Sequence, residues 1–168
     1  ESPQKAIELL QEMRSLLGER FAAFEIISGE MYQLVCKYFP NTPKLFPDHY
    51  PWYVLMEAAD GGTNEALEIA VEGALEVALE KDLMVDVVIA SNVSQANEIW
   101  QLRENVAEAQ QHDGANIKHD ISMPISDIPR YIEETSATLN ETYPGVRLFI
   151  FGHLGDGNLH FNASTPPG

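Results

Sequence analysis

The segment from Arg147 to Ala163 constrains the fold more than any other. Arg147, Phe149, Phe151 and His153 share one side of its incoming half, and His160 and Asn162 share one side of its outgoing half. Between them stand Gly155, Asp156, Gly157 and Asn158, residue types that make turns and accept a positive φ. A period of two on either side of a turn predicts two strands, 147–153 and 159–163, paired antiparallel. Such a pair is not stable alone and needs more strands and a covering layer.

The rest of the chain supplies both. Ser2-Pro3 reads as a cap followed by proline at the first helical position, with Ile7, Leu10, Met13 and Leu17 on one face and Gly18 at the end. Strands are expected at 24–28, 52–58, 84–90 and 117–123. Helices are expected at 29–39, 63–81, 94–111 (with Ser94 as a cap) and 126–140 (with Ser126 as a cap). The expected fold class is α+β: one ferredoxin-like antiparallel sheet with helices packed on one face, spanning residues 1–168 as one domain. With 45% hydrophobic residues the chain can build a packed core.

Charge narrows the function. The sequence has 10 Lys and Arg against 26 Asp and Glu, a formal net charge of −16. That field repels phosphate backbones and anionic lipid, so neither nucleic acid nor a membrane is an expected partner. Glu65, Glu68, Glu72, Glu76 and Glu80 read as the solvated face of the 63–81 helix, opposite Leu67, Val71, Ala74 and Ala78. The single cysteine, Cys36, lies in an apolar run and reads as a small buried hydrophobe. It excludes an internal disulfide and fits a reducing compartment.

An anionic substrate would have to meet local positive charge. Arg103 stands one step off the apolar stripe of its helix, where a long side chain can cross into a cleft. Lys118 alternates with Asp120 and Ser122 on one strand face. Arg grips a carboxylate with two parallel bonds. The competing reading is surface pairing of Arg103 with Glu104 or Glu108 and of Lys118 with Asp120. His153 and His160 stand opposite each other if the two strands pair across the turn, and cross-strand Cβ atoms are ~5 Å apart. Two imidazoles at that separation can converge on one divalent ion at ~2.1 Å. Two ligands are too few for a catalytic zinc, and Asp156 reads as a turn residue rather than a third.

Three motifs carry a resemblance: Trp100-Gln101-Leu102-Arg103-Glu104, Lys118-His119-Asp120-Ile121-Ser122-Met123-Pro124 and Gly152-His153-Leu154-Gly155-Asp156-Gly157-Asn158-Leu159-His160. Together they resemble the C-terminal domain of the FAD-linked oxidases, a family that includes D-lactate dehydrogenases, the glycolate oxidase flavin subunit and D-2-hydroxyglutarate dehydrogenases. The resemblance implies oxidation of a D-2-hydroxy acid to the 2-oxo acid, with FAD held by a separate N-terminal domain. It implies that His153 and His160 ligate a divalent metal, with zinc the expectation. It also implies that Arg103 and Lys118 hold the substrate carboxylate and that Asn162 contacts the substrate. The family's third ligand is a Glu in a Glu-His-Gly motif, expected downstream of these residues together with the general base. Hydroxyglutarate-type members carry a Thr four residues after the Arg, where this chain has Ala107. The expected partners are a small 2-hydroxy acid, the FAD domain and a second copy in a homodimer. The expected location is the cytoplasm, or the mitochondrion in a eukaryote. On its own this stretch is expected to be inactive. The competing functions are a stand-alone ferredoxin-like module that binds a small molecule or metal, and a metal-dependent hydrolase using His153, His160 and Asp156.

Overall fold

The computed structural model describes residues 2–166. A six-stranded antiparallel sheet runs through the centre. Its strands are β1 (Phe21–Ser28), β2 (Trp52–Ala58), β3 (Asn116–Ile117), β4 (Asp120–Ser122), β5 (Arg147–His153) and β6 (Asn158–Ser164). The order is β2-β1-β5-β6-β3, and β4 follows β3 along the same edge of β6. The helices are α1 (Pro3–Leu17), α2 (Gly29–Tyr38), α3 (Asn64–Glu80), α4 (Val93–Glu104), α5 (Val106–Asp113) and α6 (Ile128–Thr142).

The expected α+β class and antiparallel sheet are what the chain forms. The helices go beyond the expected single layer and cover both faces of the sheet. Phe24 and Ile26 of β1, Ile150 of β5, and Leu159 and Phe161 of β6 meet α1, α3 and α6 on one face. Ile27, Phe149 and Phe151 meet α2, α4 and α5 on the other. Successive strand residues point to opposite faces, so the adjacent buried pair Ile26-Ile27 needs cover on both.

Local chemistry sets the helix ends. Ser2 Oγ accepts from Lys5 N–H at 3.2 Å, with Pro3 at the first helical position. Ser28 Oγ accepts from Met31 N–H at 3.3 Å and from Ile150 N–H at 3.2 Å, so one buried hydroxyl caps α2 and joins β1 to β5. Asn92, not Ser94, caps α4 by accepting from Gln95 N–H at 3.0 Å. The Ser126 region is a short 3-10 turn leading into α6. The acidic residues of α3 are solvent-exposed, as expected. Cys36 is half-buried beside the α2 core, and burial pushes its thiol pKa up.

Three elements differ from expectation. Residues 84–90 form no strand; Met84 and Val87 pack on the α1–α3 core from an irregular segment with no neighbouring strand to pair with. The 94–111 helix is two helices that meet at Asn105. The 117–123 strand is broken at Lys118 and His119, where His119 O still accepts from Phe161 N–H at 2.9 Å.

The helical layer over β5 is pinned by one carboxylate. Asp113, at the end of α5, has a side chain only 4% exposed. Its Oδ1 accepts from Lys37 Nζ at 3.2 Å and from the Tyr38 hydroxyl at 3.1 Å, and its Oδ2 pairs with Arg147 Nη1 at 2.5 Å. Burial by itself raises the pKa of Asp113, but Lys37, Arg147 and Tyr38 together outweigh it and hold the group below its ordinary value. A depressed carboxyl pKa stabilises the fold above the unfolded-state value, and the contribution is lost as pH falls through the folded-state value. Asp113→Asn is therefore expected to cost about 1–3 kcal/mol in urea unfolding at neutral pH. The deficit should shrink as the pH falls below about 4.

Candidate functional site

The site lies on the sheet face covered by α4 and α5, at the end where β5 turns into β6. Three 3-10 residues, Leu154–Asp156, make the turn, and Gly157 closes it at φ 71°. A Cβ on Gly157 would stand 2.4 Å from Met123 O, and one on Gly152 would stand 2.5 Å from Asn158 O. Glycine at both is a requirement of packing, and at Gly157 of backbone conformation as well. Leu154 is fully buried beneath the turn, and Arg14 of α1 donates to Gly155 O at 2.6 Å.

The length of this turn alters the expected register. His160 pairs with Phe151, and His153 pairs with Glu25 on β1. The two histidines are thus offset by two residues instead of standing directly opposite. A shift of two keeps a side chain on its face, so both imidazoles remain on the same side of the sheet. The rings of His160 and Phe151 stack at 4.6 Å between centroids, 18° from parallel.

Each imidazole presents Nδ1 to a carboxylate. Glu25 Oε1 lies against His153 Nδ1. Asp120, the register partner of His160, has Oδ1 3.7 Å from His160 Nδ1 and accepts from Asn158 Nδ2 at 2.7 Å. The pKa of His160 is lowered, by burial first and also by Arg103 and His153, against the opposing pull of Asp120 and Glu25. That shift favours the neutral ring, the form that binds metals.

Arg103, in the last turn of α4, reaches down to the same face. Its Nε donates to Glu25 Oε2 at 2.7 Å, and its guanidinium carbon lies 5.0 Å from the Phe151 ring centre. The sequence suggested Glu104 or Glu108 as the pairing alternative; the partner is Glu25. Using Nε leaves the two terminal nitrogens of the fork as donors. The Arg103 side chain is 17% exposed, so its charge is little screened.

Glu25 is the residue that reading the sequence passed over. It has no exposure to solvent and contacts both Arg103 and His153. The available signal was an acidic residue within the apolar run Phe24-Glu25-Ile26-Ile27. Such a residue is rarely buried without partners.

The other two candidates are placed differently. Lys118 is exposed in the break between β3 and β4, while Asp120 turns to Asn158 and His160. Asn162 is on the same sheet face but buried. Its Nδ2 donates to Gln110 Oε1 at 2.9 Å, and its Oδ1 accepts from His119 N–H at 3.1 Å. Asn162 thereby fixes the strand break that carries Lys118. Among the described residues no group of three or more His, Cys, Asp and Glu is arranged to hold a metal ion. No described helix is long and apolar enough to cross a membrane. Asn162→Ala strands the buried Gln110 amide and is expected to lower stability by about 1–3 kcal/mol in urea unfolding, whereas an indifferent structural role would leave the midpoint unchanged.

Comparison with known proteins accounts for the whole chain. Residues 1–168 match the family described as FAD linked oxidases, C-terminal domain. A D-2-hydroxyglutarate dehydrogenase of Xanthomonas citri pv. viticola is 37% identical, over 88% of this chain and 30% of the relative. The mitochondrial D-2-hydroxyglutarate dehydrogenase of Arabidopsis thaliana is 33% identical, over 94% of this chain and 28% of the relative. A putative mitochondrial D-lactate dehydrogenase of Schizosaccharomyces pombe is 32% identical, over 98% of this chain and 32% of the relative. The chain thus spans about a third of the length of the curated relatives it matches.

Proposed function

This chain belongs to the FAD-linked oxidase C-terminal domain family, and from that premise we propose that it forms the substrate- and metal-binding part of an FAD-dependent dehydrogenase oxidising a D-2-hydroxy acid to the 2-oxo acid. The observation that carries the reading is the grouping of Arg103, His153 and His160 on one sheet face, with Glu25 beneath Arg103 and His153. The named activities of the relatives support the substrate class.

The residues fit a divalent metal as a partial ligand set. A ligating imidazole ordinarily donates one ring N–H to a carboxylate and binds metal through the other nitrogen. His153 and His160 each turn Nδ1 toward a carboxylate, which leaves Nε2 for a metal such as zinc. Further ligands would come from outside this pair. When bound, the metal supplies Lewis-acid polarisation of the substrate hydroxyl and FAD supplies the electron acceptor.

The residues of this chain bind and orient. Arg103 offers the two terminal nitrogens of its fork to the substrate carboxylate, held in place through Nε by Glu25. Lys118, on the exposed break, adds a second positive charge at the rim. Together they fix which face of the hydroxy acid is presented, a positioning role. Asn162 joins them as a substrate contact only by exchanging its bond to Gln110. Arg103 and Lys118 are the positive groups that an anionic substrate would meet in a chain of net charge −16. Two of these relatives are named mitochondrial and the Xanthomonas relative is bacterial, so the cytoplasm, or the mitochondrion in a eukaryote, is the proposed location.

The test is anaerobic flavin reduction in the full-length protein, with a panel that includes D-2-hydroxyglutarate and D-lactate. Absorbance bleaching by a D acid, abolished by a chelator and restored by zinc, is the expected result. Metal binding without bleaching by any acid would instead favour a binding module. Arg103→Lys keeps a charge beside Glu25 but loses the fork. It is expected to lower kcat/KM by about 10–100-fold, the worth of one or two charge-assisted bonds, with an unchanged melting temperature.

A further inference from the structure

Glu25 is a buried acid for which the binding scheme above gives no direct contact with substrate or metal. Its two oxygens are divided: Oε2 accepts from Arg103 Nε at 2.7 Å, while Oε1 lies in close ion-pair contact with His153 Nδ1 and has no partner in hydrogen-bond geometry. The backbone fixes this arrangement. β1 and β5 pair Glu25 with His153 directly, and Phe24 and Ile26 on either side are locked into the opposite core. Glu25 therefore cannot turn away, and its neighbours must adapt to it.

We propose that Glu25 is a positioning residue that sets the tautomer of His153. A carboxylate only accepts, and so does its contact with Arg103 require. The imidazole facing it must therefore carry its proton on Nδ1, leaving the Nε2 lone pair pointing out of the sheet. His153 is 54% exposed, so that outer edge is open to a ligand. The same carboxylate orients the Arg103 fork, so the cation and the metal-binding nitrogen are set by one group. Asp120 faces His160 in the same sense but at 3.7 Å from Nδ1 and from an exposed position, a looser hold. This inference deepens the proposed function and rests on it for the metal, although not for the tautomer.

Glu25→Gln separates positioning from simple packing because it keeps the side chain's size. Arg103 only donates, so the Gln carbonyl must face Arg103 and the amide N–H must face His153. His153 Nδ1 then accepts, and the ring proton moves to Nε2, where it blocks a metal. The test uses the full-length protein with zinc as the probe, its affinity read by competition with a chelating dye. ¹⁵N NMR of the metal-free protein at about pH 8, above the ordinary histidine range, reads the tautomer. The expected result is His153 with its proton on Nδ1 in the native protein and on Nε2 in Glu25→Gln, with zinc affinity 10–100-fold lower in the variant, the usual size of a lost outer partner. His153→Ala serves as the reference for loss of the site. Wild-type zinc affinity in Glu25→Gln alongside weakened binding in His153→Ala would overturn the role of Glu25 alone. Unchanged zinc binding in His153→Ala would overturn the metal reading, and the NMR result would then still decide the tautomer claim. A proton on Nε2 in the native protein would overturn it outright. Glu25→Asp, which retains an acceptor on a shorter arm, should recover the native tautomer.

Discussion

A carboxylate taken fully out of water loses several kcal/mol of solvation and stays charged only when its oxygens are met by donors. Glu25 is in that position, at the centre of the sheet, and the arrangement around it follows from meeting that demand. α4 must end where Arg103 can reach down. β5 must pair with β1 in the register that brings His153 alongside. The β5–β6 turn must then be long enough to leave His160 against Phe151, stacked where Arg103 also rests. Shifting any of these elements by one residue would leave a buried charge alone, which costs more than most packing faults.

The two-sided cover of the sheet leaves the site backed by packed side chains and open at one end. α1, α3 and α6 cover one face with aliphatic and aromatic side chains. The other face is closed by α2 and α5 near Phe149 and Ile27, and the cover thins toward His153. The charged groups collect at that thin end. In a chain with so strong an acidic excess, the low exposure of Arg103 keeps it paired with one buried carboxylate, Glu25, with its terminal nitrogens left as donors.

Much of this was legible in the sequence, and what was not has physical reasons. The period-two runs at 147–153 and 159–163 located β5 and β6 almost to the residue, because a half-buried antiparallel strand must alternate. The run at 84–90 is more apolar but has no partner, and strand propensity without a partner makes no strand. The helix break at Asn105 was hidden because the apolar spacing continues through it from Leu102 to Val106 and Ala109. The offset of the two histidines depended on how many residues the turn consumes, which a Gly-rich stretch does not announce. Glu25 was invisible for a different reason: its partners are 78 and 128 residues away, and no local pattern encodes a pairing at that range.

The measurement that tests the account most directly is anomalous diffraction at the zinc edge from crystals of the full-length protein grown with zinc. The account predicts an anomalous peak between His153 and His160 on the Nε2 side of both rings, with the Arg103–Glu25 bond intact beside it. A peak elsewhere, or none at these histidines in crystals that hold zinc, would contradict it.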